Sequence, residues 1–530
     1  MNNNANPAIL RTLIAYAVIV PLAICIGFLL ASVAPASADN SNWVWSILVV
    51  INSHPIVWGS IALVLFSPLL LRWHYWLLLV AFNASITIFF MPGQPGLWML
   101  TVALSLGISV LSRMLNNQKH FIRAPQITWP LICILAVVFF TAEMTGGFGL
   151  RSFGSDVYGG KKYVMTYAAV AAYFAFTAQR IPPRRAGLAV ALFFLGGTTA
   201  LIGDFSNVMP SSLNFIFLVF PRNIDQSAGS ELGVTRFSGA AMASPLIISY
   251  MLARYGIRGI FISGRPWRLV AFIAFMLLGF LGGYRGGFIL IGMTFLIQFY
   301  LEKLHRTVLL PALVLTGALA MLVMIPLASK LPFTFQRELS FLPLPVDSMA
   351  RQSADATLEW RFEMWRALLP QVPEYLLLGK GYGFSSLDFQ YMGDDSAFRS
   401  VDPSQQGLAL SGDYHNGWLS VIITFGIWGI AATLWFFVAG WRALYDNCRY
   451  GDPNLKTVNC FLLASFLARI LMFMTVSGSG LHSDLLAFVG MLGLSISLNG
   501  GIRRPSDVPV QTEAQTLIPA RPRLLPFYQP

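Results

Sequence analysis

Asp413-Tyr-His415-Asn416-Gly417-Trp418-Leu-Ser-Val-Ile-Ile-Thr-Phe-Gly426-Ile-Trp-Gly-Ile-Ala-Ala-Thr-Leu-Trp-Phe-Phe-Val-Ala-Gly440 is the stretch that decides the fold. From Gly417 to Gly440 no residue is charged, and a helix of that length crosses the ~30 Å hydrocarbon core of a bilayer. The rest of the 530 residues repeats the pattern, being 56% hydrophobic and only 11% charged, with a mean hydropathy of +0.65. Soluble domains carry about 25% charged residues, so the solvent for most of this chain is lipid. Backbone groups in lipid must be satisfied within a helix or a closed barrel, and these runs show no barrel-like alternation. The expectation is an all-α, polytopic membrane protein.

About 14 spans are readable, near 10–33, 48–71, 73–90, 97–115, 127–143, 163–178, 186–203, 237–255, 268–284, 286–301, 308–328, 417–440, 457–476 and 483–498. About 12 to 14 cross the membrane, since 43–55 fits an interfacial helix. Only Arg72 separates the second span from the third, which predicts a tight hairpin there. Val33-Ala-Pro-Ala-Ser-Ala38 resembles a signal-peptidase site, but the apolar core before it is long enough for an uncleaved span. The chain divides into an N-terminal bundle (1–328), a polar loop (329–415), C-terminal helices (416–498) and a proline-rich tail expected to be disordered (499–530).

The net charge of +12 is dispersed over helix ends and forms no stripe, which argues against nucleic acid. Placing the Arg180, Arg184, Arg185, the Arg254 to Arg268 and the Arg442, Arg449, Lys456 groups in the cytoplasm puts both termini there too. The loop from Ser329 to Asn416 then faces outside. None of Cys25, Cys133, Cys448 and Cys460 falls in it, so no disulfide framework is expected.

Candidates for chemistry gather on that outer side. Arg285, in Gly282-Gly-Tyr284-Arg285-Gly-Gly287, sits in a turn too short to leave the membrane surface, where a guanidinium is costly without an anion. Arg236 precedes a small-residue helix start, Gly239-Ala-Ala-Met-Ala-Ser, whose amino-terminal dipole makes a phosphate-ready corner. His415 with Asn416 opens a span, and near arginines its imidazole stays neutral and available as a proton acceptor. Leu358, Phe362, Trp365 and Leu369 form an apolar stripe suited to packing on an amphipathic helix that also carries Arg361. Gly379-Lys380-Gly381-Tyr382-Gly383 lacks the Ser or Thr of a nucleotide loop and reads as a flexible turn offering Lys380 and Tyr382. Arg469 is a charge inside a span, with Glu143 a possible ion partner. The outer acids Asp394, Asp395, Asp413 and Asp484 have no metal-site spacing, so neither metal nor cofactor is expected.

Thr235-Arg236-Phe-Ser-Gly239, Gly283-Tyr-Arg285-Gly-Gly287, Arg361-Phe-Glu-Met-Trp365, Gly379-Lys-Gly-Tyr-Gly-Phe384 and His415-Asn416-Gly417-Trp418 occur in one order and on one side. Together they resemble the O-antigen ligase and polymerase superfamily, best over about 230–440. The resemblance implies a glycosyltransferase that moves a glycan from an undecaprenyl diphosphate-linked donor to a glycan or lipid A-core acceptor at the periplasmic face. It implies that Arg236 and Arg285 hold the diphosphate and that His415 activates the acceptor hydroxyl. Ala243-Ser244-Pro245 departs from the family's usual Pro-Asn, which leaves ligase, polymerase and protein glycan transferase open. The competing class is a transporter or flippase, for which polar groups should gather at mid-membrane.

Overall fold

A computed structural model describes residues 67–89, 91, 93–116, 120–149, 157–222, 237–385, 388, 410, 412–475, 478 and 480–505. The span expected at 10–33, most of that at 48–71, Arg236 and the tail past 505 lie outside the described residues. What is described is helical, with two isolated bridges, Thr87–Gly96 and Tyr158–Phe384, and no strand. Among the described residues seven helices are long and apolar enough to cross a membrane, and two shorter apolar ones, Pro266–Phe280 and Arg285–Leu301, accompany them.

Among the described residues the helices begin, in chain order, with α1 (Ser67–Ala81), α2 (Leu97–Leu115), α3 (Pro125–Met144) and α4 (Gly160–Thr177). α1 runs without a break through Arg72, so the expected hairpin there is corrected: one arginine carries no turn chemistry, and the chain turns instead at 82–96. The span expected at 186–203 is helix α5 (Ala186–Leu195), a 3₁₀ turn at Gly196–Thr199 and helix α6 (Ala200–Asp204). A short α7 (Ile216–Val219) precedes α8 (Ser238–Phe261), α9 (Pro266–Phe280), α10 (Arg285–Leu301) and α11 (Leu309–Leu327).

The described part of the polar loop holds α12 (Phe333–Leu339), α13 (Ser348–Leu368) and a one-turn α14 (Val372–Tyr375). Then come α15 (Gly417–Tyr450), α16 (Lys456–Thr475) and α17 (Leu481–Asn499). α17 is the most buried span and packs on α4, α15 and α16. A Cβ at its Gly490 or Gly493 would overlap the rings of Phe82 and Phe176, so the small residues set how closely the helices approach. At the end of the bundle away from His415, Asn459 donates to Asn447 O (2.9 Å) and to Asn499 Oδ1 (3.1 Å), while Asn447 donates to Ser495 Oγ (3.1 Å). This closed amide network fastens α15, α16 and α17 where lipid offers no partners.

α15 is broken at Gly426, where φ +65° and ψ −163° interrupt the helix. The break frees carbonyls that a helix would have used, and the glycine-rich turn takes them: Lys380 N–H donates to Ile423 O (2.8 Å) and Gly381 N–H to Thr424 O (2.9 Å). Ile427 N–H in turn donates to Leu376 O at 2.7 Å. Gly379 and Gly381 adopt φ +74° and +70°, and a Cβ on Gly379 would strike the Thr424 carbonyl. The flexible turn expected from sequence is therefore a fixed wedge. Gly379→Ala should lower the thermal midpoint of the detergent-purified protein well beyond Gly264→Ala. Gly264 has a similar φ of +68° with nothing within 4 Å, so that control carries only the left-handed backbone cost of about 1–2 kcal/mol.

Candidate active site

α13 is the bar on which the site is assembled. Asp347 caps its start, accepting from Met349 N–H at 2.7 Å. About two turns further along, the carbonyl of Ala354 accepts from Arg285 Nη2 at 2.6 Å, and one turn beyond it the Thr357 hydroxyl accepts from Arg337 Nη2 at 2.9 Å. Arg337 also donates to Gly283 O at 3.1 Å, tying the Gly282–Tyr284 turn that presents Arg285 to the loop helices. Further on, Trp360 meets the His415 ring edge-on at 5.4 Å, and the Arg361 guanidinium lies 5.6 Å from the Trp360 ring centre. The six or seven residues from Ala354 to Trp360 and Arg361 rise roughly 10 Å, so Arg285 and His415 lie near opposite ends of one short stretch of helix.

The face of α13 that packs is not the expected stripe. Ala350, Ala354, Met364, Ala367 and Leu368 are buried, whereas Phe362 (51%) and Leu369 (56%) are exposed. Met364 and Leu368 pack with Tyr414, Leu419 and Ile423, and Trp365 Nε1 donates to Tyr414 O at 2.7 Å. Alanines together with Met364 and Leu368 make the packed face, and of the expected stripe Trp365 shares it.

His415 stands at the mouth of α15 in the left-handed region, φ +49°. Histidine enters that region more readily than most residues. Its neighbours hold it there. Tyr414 is fully buried with its N–H on Ser420 Oγ (3.1 Å), and the Asn416 amide oxygen accepts from Trp418 and Leu419 N–H (3.1 and 3.2 Å) as a helix cap. Gly417 is required because a Cβ there would overlap Phe473. Burial, and then the positive charge of Arg361, depress the His415 imidazole to about 4, so it is neutral at neutral pH.

The cations have partners of unequal charge. Arg361 is lowered by burial and by Arg285, and supported by Asp413. Arg285 faces Asp355 and Glu338. Burial pushes Glu338 up to about 8 against the pull of the Tyr284 and Gly283 N–H groups and of Arg337 and Arg285, so it is largely protonated at neutral pH. Arg285 thus keeps positive character toward an anion. Sequence reasoning missed Arg337 and Glu338, which lie on a seven-residue helix too short to show a periodic face.

Other expected residues fall elsewhere. Tyr382 is fully buried among Tyr163, Phe425 and His482, so the expectation that the turn offers it to a substrate is corrected. Lys380 lies 5.6 Å from the Tyr414 ring centre, and burial lowers its ammonium to about 8. Arg469 faces Asp484 on α17, not Glu143. The phosphate-ready corner before α8 is occupied: the Asp204 carboxylate accepts from Gly239 and Ala240 N–H at 2.8 and 2.7 Å. A carboxylate supplied by the end of α6 already satisfies that dipole, which no local pattern could reveal.

Residues 269–434 match the family model for O-antigen ligase. The chain carries an O-antigen ligase-type domain. The matched segment begins within α9 and ends within α15, so it contains Arg285, Arg361, Lys380, Tyr382, His415 and Asn416, and leaves Arg236 and Arg469 outside. The sequence matches no curated protein.

Arg361→Gln should raise the His415 pKa while leaving it below its ordinary 6.5, because burial remains the larger cause. The pH dependence of diethyl pyrocarbonate modification at His415, followed by peptide mass spectrometry, reports this as a shift of the neutral, reactive form to higher pH.

Proposed function

We propose that the O-antigen ligase-type domain transfers a glycan from an undecaprenyl diphosphate-linked donor to an acceptor hydroxyl. The observation that carries this reading is the gathering of Arg285, Arg361 and a neutral His415 against α13. Breaking the bond from the anomeric carbon to the phosphate oxygen leaves the pair of electrons on the diphosphate. Guanidinium groups beside that oxygen stabilise the growing charge. The acceptor oxygen attacks the anomeric carbon from the opposite side as His415 accepts its proton, which inverts that centre. Arg236 would add a further contact to the diphosphate. The reading needs neither nucleotide nor metal, because the guanidinium groups supply the positive charge.

Both ends of α13 meet the same end of the bundle, which fits a site at one membrane face. With the expected lysine and arginine distribution that face is periplasmic, the membrane is the bacterial inner membrane and both termini are cytoplasmic. In a ligase reaction the acceptor is lipid A-core, and in a polymerase reaction it is a second glycan.

Purified protein in proteoliposomes, given undecaprenyl diphosphate glycan and both acceptors, should lengthen one of them without added nucleotide. His415→Ala should reduce the rate about 10²-fold or more, and Arg285→Ala by about 10²- to 10³-fold, with both proteins still inserted. Transfer at the wild-type rate by either variant overturns the reading.

A further inference from the structure

At the membrane face opposite His415, where α17 ends at Asn499, the ends of α2 and α4 leave a cavity of about 310 Å³. Ser109, Ser112 and Arg113 of α2 line it, with His120 and, just past α4, Gln179 and Arg180. Among the described residues no acidic side chain lines it. The backbone holds these groups in place. Ile122 N–H donates to Thr177 O at 2.9 Å and Ile181 N–H to Ser497 O at 3.0 Å, so the segments carrying His120 and Arg180 are tied to the ends of α4 and α17. Arg180 lies against Gly500, where a Cβ would come within 2.7 Å of its Nε, and the Arg113 guanidinium stands 5.6 Å from the Phe121 ring centre. The Arg113 carbonyl, in the last turn of α2, accepts from Asn116 N–H at 3.2 Å, and the last carbonyl of α4 is the one that Ile122 takes. Those carbonyls leave the guanidinium groups to another acceptor.

The wall on α2 also carries a hydroxyl without a partner. Thr101, Ser105 and Ser109 are buried at successive turns of one helix face. Thr101 donates to Trp98 O at 3.0 Å, and Ser105 Oγ meets His74 Nδ1 at 2.9 Å, with Gln179 Nε2 3.1 Å from the other ring nitrogen. Ser109, only 9% exposed, breaks the series: its Oγ is buried and has no hydrogen-bond partner among the described residues. A buried hydroxyl left unbonded is costly, and this one belongs to a cavity that two guanidinium groups also line. Guanidinium, hydroxyl and amide groups all donate, a set that takes an oxyanion. Beside the cavity, α2 presents Leu111, Met114 and Leu115 as exposed apolar surface.

We propose that this cavity binds the phosphate of an anionic phospholipid from the leaflet opposite the His415 face. Arg113 and Arg180 pair with the phosphate oxygens, Ser109 donates to one of them, and the acyl chains lie along Leu111, Met114 and Leu115. Basic pockets between spans select anionic headgroups in this way. The volume, at the low end of the roughly 300–1,000 Å³ of small-molecule sites, takes a headgroup and leaves no room for a long glycan. Bound there, the lipid joins the end of α2 to the chain just past α4. The cavity shares no residue with the transfer chemistry, so the inference stands apart from that reading.

The experiment follows the thermal midpoint of the full chain in a neutral detergent as phosphatidylglycerol, phosphatidylcholine or water-soluble glycerol phosphate is added, while native mass spectrometry counts retained lipid. A ligand held by the folded state alone raises the midpoint with its concentration. Phosphatidylglycerol should give a saturable rise that the other two do not. Arg180→Gln and Ser109→Ala should each weaken its apparent affinity by about tenfold, the loss expected for a hydrogen bond to a charged group. Arg449→Gln, which removes an exposed charge at the same face, should leave it within about twofold. Ser109→Ala deletes a hydroxyl that bonds nothing in the lipid-free protein, so its lipid-free midpoint should equal or exceed that of the wild type, which separates lost binding from a folding defect. Equal stabilisation by phosphatidylcholine, an equal loss in Arg449→Gln, or unchanged affinity in both Arg180→Gln and Ser109→Ala overturns the proposal. Saturation by glycerol phosphate at the same concentrations overturns the lipid and assigns the cavity to a free phosphate ester. None of these outcomes measures transfer, so each leaves the transferase reading where it was.

Discussion

The structure depends on a broken helix finding partners for its loose carbonyls. At Gly426 α15 gives up helical geometry, and two carbonyls that would otherwise be stranded at membrane depth accept the N–H groups of Lys380 and Gly381. In lipid each unsatisfied backbone group costs several kcal/mol, far more than the 0.5–1.5 kcal/mol of a typical net hydrogen bond in water. The break and the glycine turn are therefore mutually obligatory. From that pairing the rest follows in sequence: the turn seats Tyr382, Phe384 pairs with Tyr158 ahead of α4, and the chain that carries Lys162 is drawn in against the approach to His415.

The second constraint is a single helix, α13, bonded at one end to the Arg285 turn and at the other to Tyr414. Sites built on helices hold their geometry better than sites on loops, and here two loops from distant parts of the chain are referred to one rigid element. Arg337 shares the burden by bonding both the Gly283 carbonyl and Thr357. The exposed Phe362 and Leu369 edge of α13 is left free of the bundle, which suits a helix lying at a lipid surface.

Charge is arranged by burial more than by pairing. His415 is neutral and Glu338 protonated because each is withdrawn from water, while Arg285 and Arg361 stay cationic beside them. Excess positive charge beside a neutral imidazole suits the proposed transfer, in which a diphosphate would depart and a hydroxyl proton would be accepted. The Asp204 carboxylate at the start of α8 shows the opposite choice, a helix end closed to anions by the protein's own acid.

Sequence by itself determined the solvent and the helical character of the chain. Apolar runs of membrane length report locally, so Leu97–Leu115 and the entry to α15 at Gly417 were legible residue for residue, and the ordered motifs pointed to Arg285, Arg361 and His415. Only the tertiary structure decided what each polar group meets. Arg285 bonds a carbonyl 69 residues away, Asp204 caps a helix 35 residues on, and Lys162 lies 5.7 Å from the centre of the Tyr382 ring. Hydrophobicity adds up along the chain and can be read from it; hydrogen bonds and charges act across space, and their partners become known only when the helices pack.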